Sequence, residues 1–239
     1  MALADHLDWA RERVDALLAA GDGPRLVAVA VASLDLRAGV AGRSGGLSSE
    51  ADQALLYAWR AAADMLLVGG RTLTVERYGS LLPEPLAARR RERGLPPIPP
   101  VATISRAADL DVARIRRADE PPDLRVYTEA APPPDEPGVG WRRLKAVTVR
   151  SVVDDLRERG AGVIVCEGGP TVYARALADE VVTDLSLTLA PVVVGEGDVL
   201  LPDFHPGDVR LALAGATAIG DHLFTHYRVR AQASRSTTR

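Results

Sequence analysis

The sequence is poor in residues that would announce several common chemistries. Among its 239 residues there is one cysteine, Cys166, so no disulfide forms within the chain and no cysteine-rich zinc site can be assembled. There is one lysine, Lys145, among 29 basic residues. No GxxxxGK[ST] segment occurs, which excludes a P-loop. Aromatic residues make up 4%, which leaves the core to Val, Leu and Ala. The four histidines show no HExxH or paired ligand spacing, and the H-x-E…P-C-x-x-C signature of zinc deaminases is missing. No metal site is expected. No apolar run approaches the length of a membrane span, and the start of the chain lacks the apolar stretch of a signal peptide. The expectation is a cytoplasmic chain with no membrane partner. A net charge of −3 gives no reason to expect nucleic acid.

What is present is a chain of ordinary apolar content, 47%, long enough for a real core. Residues 5–19 read as a helix, and 26–33 (LVAVAVAS) as a strand covered on both faces. A second helix opens at Ser49, with Asp52 in capping-box register, and carries Leu55, Leu56, Trp59 and Ala63 inward. Short strands follow at 64–68, 101–105, 124–128 and 162–166. A helix at 151–159 is expected to be capped by Ser151, and another runs over 171–178. A long strand is expected at 184–194, and a hairpin at 209–218 and 222–229 turns across Gly220-Asp221. Residues 82–100 and 130–140 are Pro-rich and read as loops, and 234–239 as a frayed tail. The alternation predicts an α/β fold with a mostly parallel sheet and a C-terminal antiparallel hairpin, as one domain over 1–233.

The strongest local signal is Cys166-Glu167-Gly168-Gly169-Pro170-Thr171. A strand ends, two glycines let the backbone approach a ligand, and Pro170 occupies a first-turn helix position whose neighbouring amides favour an anion such as a pyrophosphate. A plain tight turn explains the same residues equally well. Gly69-Gly70-Arg71-Thr72 repeats the arrangement at another strand end. Two such turns imply one crevice along the carboxyl edge of the sheet. Asp35, after the first strand, is either a solvated loop residue or a polar contact at that crevice. Gly21-x-Gly23 and Gly195-x-Gly197 lack the dinucleotide pattern. Gly42-Arg43-Ser44-Gly45-Gly46 matches GxSxG, with His205, His222 and His226 downstream, but the helix that a nucleophile elbow needs does not follow directly.

At these residues the sequence resembles the reductase domain of riboflavin biosynthesis, the C-terminal half of the bifunctional deaminase–reductase, which has a dihydrofolate-reductase-like fold. The stand-alone pyrimidine reductase branch is the nearest match. The resemblance runs over most of the chain. It rests on VASLD at 31–35, GRSGGLSSE at 42–50, Trp59-Arg60, DMLLVGGRT at 64–72, ATIS at 102–105, CEGGPT at 166–171 and DLSLTLAPVVVG at 184–195. It implies an NADPH-dependent oxidoreductase acting on 5-amino-6-(5-phosphoribosylamino)uracil or a related ribosylaminopyrimidine. Gly168, Gly169, Pro170 and Thr171 would cradle the cofactor pyrophosphate. Val31, Gly46, Gly69, Thr72 and Glu76 would border the cofactor, and Ser105 with Arg106 would meet its 2′-phosphate. Ser44, Arg60, Arg77 and Glu167 would face the substrate, and Asp35 or Glu167 would handle the proton. The family also implies a homodimer, with the apolar 184–194 segment as a candidate interface.

Two departures stand out. Leu36 follows SLD where the family carries glycine. Val75-Glu76-Arg77-Tyr78-Gly79 replaces an acidic–acidic–Pro run and its following arginine. Alternative readings are reduction of a dihydropterin such as dihydrofolate, an NADP-binding regulatory protein without catalysis, and a Ser44 hydrolase.

Overall fold

The structure, a computed structural model, describes residues 3–39, 44–75, 81–116, 121–135, 137–202 and 208–230. Its centre is β1 (Arg25–Ala32), whose side chains alternate between two apolar layers. Val27 faces one layer, while Leu26, Ala28, Ala30 and Ala32 face the other. A strand buried on both sides has no polar positions to spare, which is why its sequence is a continuous apolar run. Eight further strands extend the sheet: β2 (Met65–Val68), β3 (Val101–Ile104), β4 (Leu124–Thr128), β5 (Val139–Arg143), β6 (Val163–Gly168), β7 (Asp184–Leu189), β8 (Leu211–Ile219) and β9 (His222–Val229). The order is β5-β4-β3-β2-β6-β1-β7-β9-β8. Every pairing from β5 through to β7 is parallel, and β9 and β8 add antiparallel strands. This is the expected mixed sheet with its terminal hairpin.

One face is covered by α1 (Leu3–Ala19) and α2 (Glu50–Ala62). Ala10 and Val14 of α1 meet Ala51, Ala54, Leu55, Ala58 and Trp59 of α2 over Val27, Leu66 and Val165. Trp9 meets Phe224 edge-on at 5.2 Å between ring centroids. Trp59 is fully buried and donates its indole N–H to Ser186 Oγ at 3.1 Å, so its polar atom is satisfied inside the core. The other face is covered by α6 (Val149–Glu158) and α7 (Pro170–Ala178), through Val152, Val153, Leu156, Ala176 and Leu177.

Several expected boundaries shift. The 82–100 segment contains α4 (Glu84–Glu92), which buries Leu86, Ala87 and Arg90. The 130–140 loop ends early, because β5 begins at Val139 and pairs with β4. The cap of α6 is Thr148, and Ser151 sits three residues in, completing a reciprocal capping box. The 184–194 strand stops at Leu189. Two short helices, α3 (Gly70–Val75) and α5 (Val112–Ile115), follow β2 and β3. The 234–239 tail lies outside the described residues.

The topology places a crevice. From β1 the chain crosses by α2 to β2 on one side of β6. From β6 it crosses by α7 to β7 on the far side of β1. Adjacent strands whose connections leave in opposite directions part at their carboxyl ends, and ligands of open α/β sheets bind there.

Candidate functional site

A cleft of about 1050 Å3 opens at that point. Sites for one small molecule run at roughly 300–1,000 Å3, so the volume suits a large ligand or two ligands together. Its floor is Val29, Ala30 and Val31 of β1. Gly69, Gly70, Arg71 and Thr72 line it from the start of α3, and Gly169, Pro170, Thr171 and Val172 from the start of α7. The helix α2 presents Asp52, Gln53, Leu56, Tyr57 and Arg60.

The two glycine turns are built against each other. Gly69 N–H donates to Gly168 O at 2.5 Å, and Gly169 N–H to Thr72 Oγ1 at 3.1 Å. Side chains do not fit here. A Cβ on Gly168 would lie 2.1 Å from the Tyr173 ring at a φ of +75°, and a Cβ on Gly169 would lie 2.8 Å from Thr72 Oγ1. The Gly168–Gly169 peptide is cis. The outcome is bare backbone beside the first turn of α7, where Val172 and Tyr173 N–H bond Gly169 O at 2.9 and 3.1 Å and Pro170 has no N–H, so the Thr171 amide and the helix dipole are what favour negative charge. The residues present therefore fit a phosphate-bearing cofactor.

On the α2 side, Arg60 Nε donates to Glu167 Oε1 at 2.6 Å and Arg60 Nη2 to Oε2 at 2.7 Å. This is a two-pronged ion pair, 12% and 6% exposed, of the planar kind that arginine forms best. Arg60 Nη1 also donates to Leu81 O at 3.3 Å. The pair unites two residues that are 107 positions apart in the chain. Tyr173 O–H donates to the carbonyl of Val29, tying α7 to the cleft floor.

Other expected site residues fall elsewhere. Asp35 does not line the cleft. Its carboxylate accepts from Ser33 Oγ at 2.6 Å, Val194 N–H at 3.0 Å and Gly195 N–H at 2.8 Å. Those bonds, led by Ser33, hold its pKa well below the usual carboxylate range. Asp35 thus pins the loop after β1 to the loop after β7. Ser105 and Arg106 lie just past the end of β3, beyond β2, and do not line the cleft. Ser105 Oγ donates to Asp109 at 2.7 Å, and Arg106 donates to Val147 O at 3.2 Å. Gly46 sits in an exposed 3-10 turn, Ser44–Gly46, away from the cleft lining. The Ser44 side chain, Glu76 and Arg77 lie outside the described residues.

Among the described residues the hydrolase reading finds no base. His226 is 1% exposed, bonded to Asp184 at 3.0 Å and stacked on Trp59. The ring N–H of His222 is given to Leu47 O at 3.1 Å, and His205 lies outside the described residues. Among the described residues, no three His, Cys, Asp or Glu side chains gather as metal ligands, and no helix is long and apolar enough to cross a membrane.

Sequence reasoning misses Asp52, Gln53, Leu56 and Tyr57 as cleft residues. With Arg60 they recur every three to four positions, a helical stripe that is legible in the sequence but overshadowed by the apolar stripe through Trp59.

Residues 24–225 match the RibD C-terminal domain family. Among solved structures, the chain is similar to a pyrimidine reductase-like protein from Corynebacterium diphtheriae, at 23% identity and a TM-score of 0.70, covering 87% of this chain and 93% of that one. It is similar to the riboflavin biosynthesis reductase of Saccharomyces cerevisiae, at 18% identity and a TM-score of 0.64, covering 89% and 95%. It is also similar to a diaminohydroxyphosphoribosylaminopyrimidine deaminase/5-amino-6-(5-phosphoribosylamino)uracil reductase from Thermotoga maritima, at 18% identity and a TM-score of 0.71. That match covers 87% of this chain and 57% of the Thermotoga chain. No curated protein matches the sequence.

Proposed function

Since the chain belongs to the RibD C-terminal domain family, we propose that it is an NADPH-dependent reductase of a small pyrimidine bearing a sugar chain, such as 5-amino-6-(5-phosphoribosylamino)uracil. The observation that carries the reading is one cleft holding both a bare glycine cradle at the start of α7 and a buried Arg60–Glu167 pair. Gly69, Gly168, Gly169, Pro170 and Thr171 would hold the pyrophosphate, and the backbone at Val31 the nicotinamide end. Ser105 and Arg106 would approach the 2′-phosphate past the end of β3, and Glu76 would border the cofactor. When bound, NADPH supplies the hydride. Arg60 and Glu167 fix each other's geometry and orient substrate hydroxyls, and Arg77 would meet the substrate phosphate. The proposed setting is the cytoplasm.

The test is a fluorescence titration of the full chain with NADPH and with NADH. NADPH is expected to bind at least ~10-fold tighter, about 1.4 kcal/mol, with Arg106→Ala erasing the preference. Gly169→Asp should abolish binding of both, because it fills the cradle and adds negative charge. Failure of the wild-type chain to bind either nucleotide would remove the reductase reading.

We also propose a homodimer, but not by strand pairing through β7. β7 lies between β1 and β9 with both edges paired. Of the two edge strands, β5 carries Arg142 and Arg143, whereas the nine residues of β8 carry no charge and expose Leu211 and Leu213. An uncharged edge strand invites pairing. A sedimentation profile showing only monomer at micromolar concentration would contradict this.

A further inference from the structure

Reduction by hydride also requires a proton, and the cleft holds few groups able to give one. Both oxygens of Glu167 are taken by Arg60. Asp198 lines the cleft from its exposed rim. The Tyr173 hydroxyl is committed to Val29 O and, being buried, resists ionisation. Asp52 differs from all of these.

It sits in the first turn of α2, where a carboxylate ordinarily faces water and complements the helix dipole. Here it is turned inward, 9% exposed, and lines the cleft. Ser48 Oγ donates to Asp52 Oδ2 at 2.6 Å, and the Thr188 hydroxyl of β7 bonds the same carboxyl. His222 of β9 and Tyr173 of α7 are the titratable groups that face it. No arginine or lysine pairs with Asp52 among the described ion pairs. Burial raises its pKa, outweighing the opposing pull of Ser48, Thr188 and His222. The carboxyl therefore holds a proton further up the pH scale than an ordinary aspartate. Asp52 shares a helical stripe with Leu56 and Arg60, which puts it about 12 Å along the helix axis from the substrate clamp, on the same wall.

We propose that Asp52 is the acid of this site, giving its carboxyl proton to the substrate atom that becomes N–H or O–H on reduction. The idea rests on the reductase reading. The substrate C=N or C=O bond gains two electrons with the hydride as the nicotinamide is oxidised. The Asp52 O–H bond breaks, a new N–H or O–H bond forms, and the carboxylate left behind recovers a proton from water. Ser48 and Thr188 fix the carboxyl and are positioning residues.

Three measurements on the full chain test this. First, the infrared difference between wild type and Asp52→Asn should show the C=O stretch of a protonated carboxylic acid persisting to higher pH than for an ordinary aspartate, with or without nucleotide. Second, nicotinamide oxidation with 5-amino-6-(5-phosphoribosylamino)uracil should slow at least ~100-fold in Asp52→Asn, while NADPH binding stays within twofold. Third, the wild-type rate should fall as pH rises through the pKa of the acid, and Thr188→Val should shift that limb. Loss of the carboxylic acid band at the pH of an ordinary aspartate, or an Asp52→Asn rate within threefold of wild type, overturns the proposal while the reductase reading stands. Failure of the wild type to bind NADPH overturns the reading, and the proposal with it.

Discussion

Leu36 has a φ of +57°, where a side chain collides with its own backbone. The left-handed conformation costs an ordinary residue about 1–2 kcal/mol, and glycine gives back up to about 1 kcal/mol through unfolded-state entropy. Leu36 is 51% exposed, so its side chain recovers little by burial. The turn is set by backbone bonds, Leu36 N–H to Ser33 O at 2.9 Å and Leu200 N–H to Leu36 O at 2.8 Å. Leu36→Gly should therefore stabilise the protein by about 0.5–1 kcal/mol, read as a higher urea midpoint. A lower midpoint would mean that the side chain packs more firmly than its exposure indicates. The glycines of the cleft are legible in the sequence because doubled glycine at a strand end strips the backbone of side chains where a ligand or a neighbouring turn must come close. The Arg60–Glu167 pair emerges only through family resemblance, since 107 residues separate its members. Asp52 stays hidden because a carboxylate two residues into a helix looks like routine capping, and only the packing of α2 on the sheet turns it inward.

Among the elements, α4 departs most from its sequence expectation. Prolines and arginines signal a solvated loop, yet Arg90 is 1% exposed. Its Nη1 donates to Ala63 O at 2.6 Å and Ala61 O at 3.0 Å, and its Nε to Pro96 O at 2.7 Å. The guanidinium thus satisfies the orphan carbonyls at the end of α2 and meets the negative end of that helix. Burial lowers its pKa to about 10, which leaves it charged at neutral pH. Arg90→Ala should cost about 2–4 kcal/mol by leaving those carbonyls unpaired, and should speed proteolysis within 84–96. Arg90→Lys should recover only part of the loss, because a single ammonium cannot reproduce the fork. Unchanged stability in Arg90→Ala would show that water replaces the guanidinium. Strands β1 and β6 are readable because burial on both faces leaves continuous apolar runs. β5 is not, because Gly140, Trp141, Arg142 and Arg143 sit at a sheet edge with partly solvated side chains.

At the scale of the molecule, two buried carboxylates set the response to acid. Burial alone would raise Asp184, but bonds from His226 and Thr183 and the charge of Arg25, 2.8 Å away, hold it low. Burial likewise acts against Asp155, and bonds from Arg159 and Tyr127 with the charge of Arg142 prevail. A depressed folded pKa stabilises fully above the unfolded value, near 4, and that stability is lost as pH falls through the folded values. The urea midpoint should drop steeply below about pH 4, while above it the raised pKa of Asp52 acts the other way and lowers the midpoint as pH rises. Asp184→Asn should flatten that drop and cost about 3–5 kcal/mol near neutrality, because Arg25 remains buried without its counter-charge. A midpoint that climbs on acidification below about pH 4 would refute this assignment. The sheet order has a further consequence, for the making of the protein. Strand β1 comes from the first 32 residues, but its two neighbours, β6 and β7, come from 163–189. While the chain is synthesised, this largely apolar strand waits for most of the sequence to emerge before either edge finds its partner. Until then its N–H and C=O groups are open to any other strand nearby. Delayed long-range pairing of this kind folds slowly and exposes a chain to aggregation, so the newborn chain depends on how its centre is sheltered until the second half arrives.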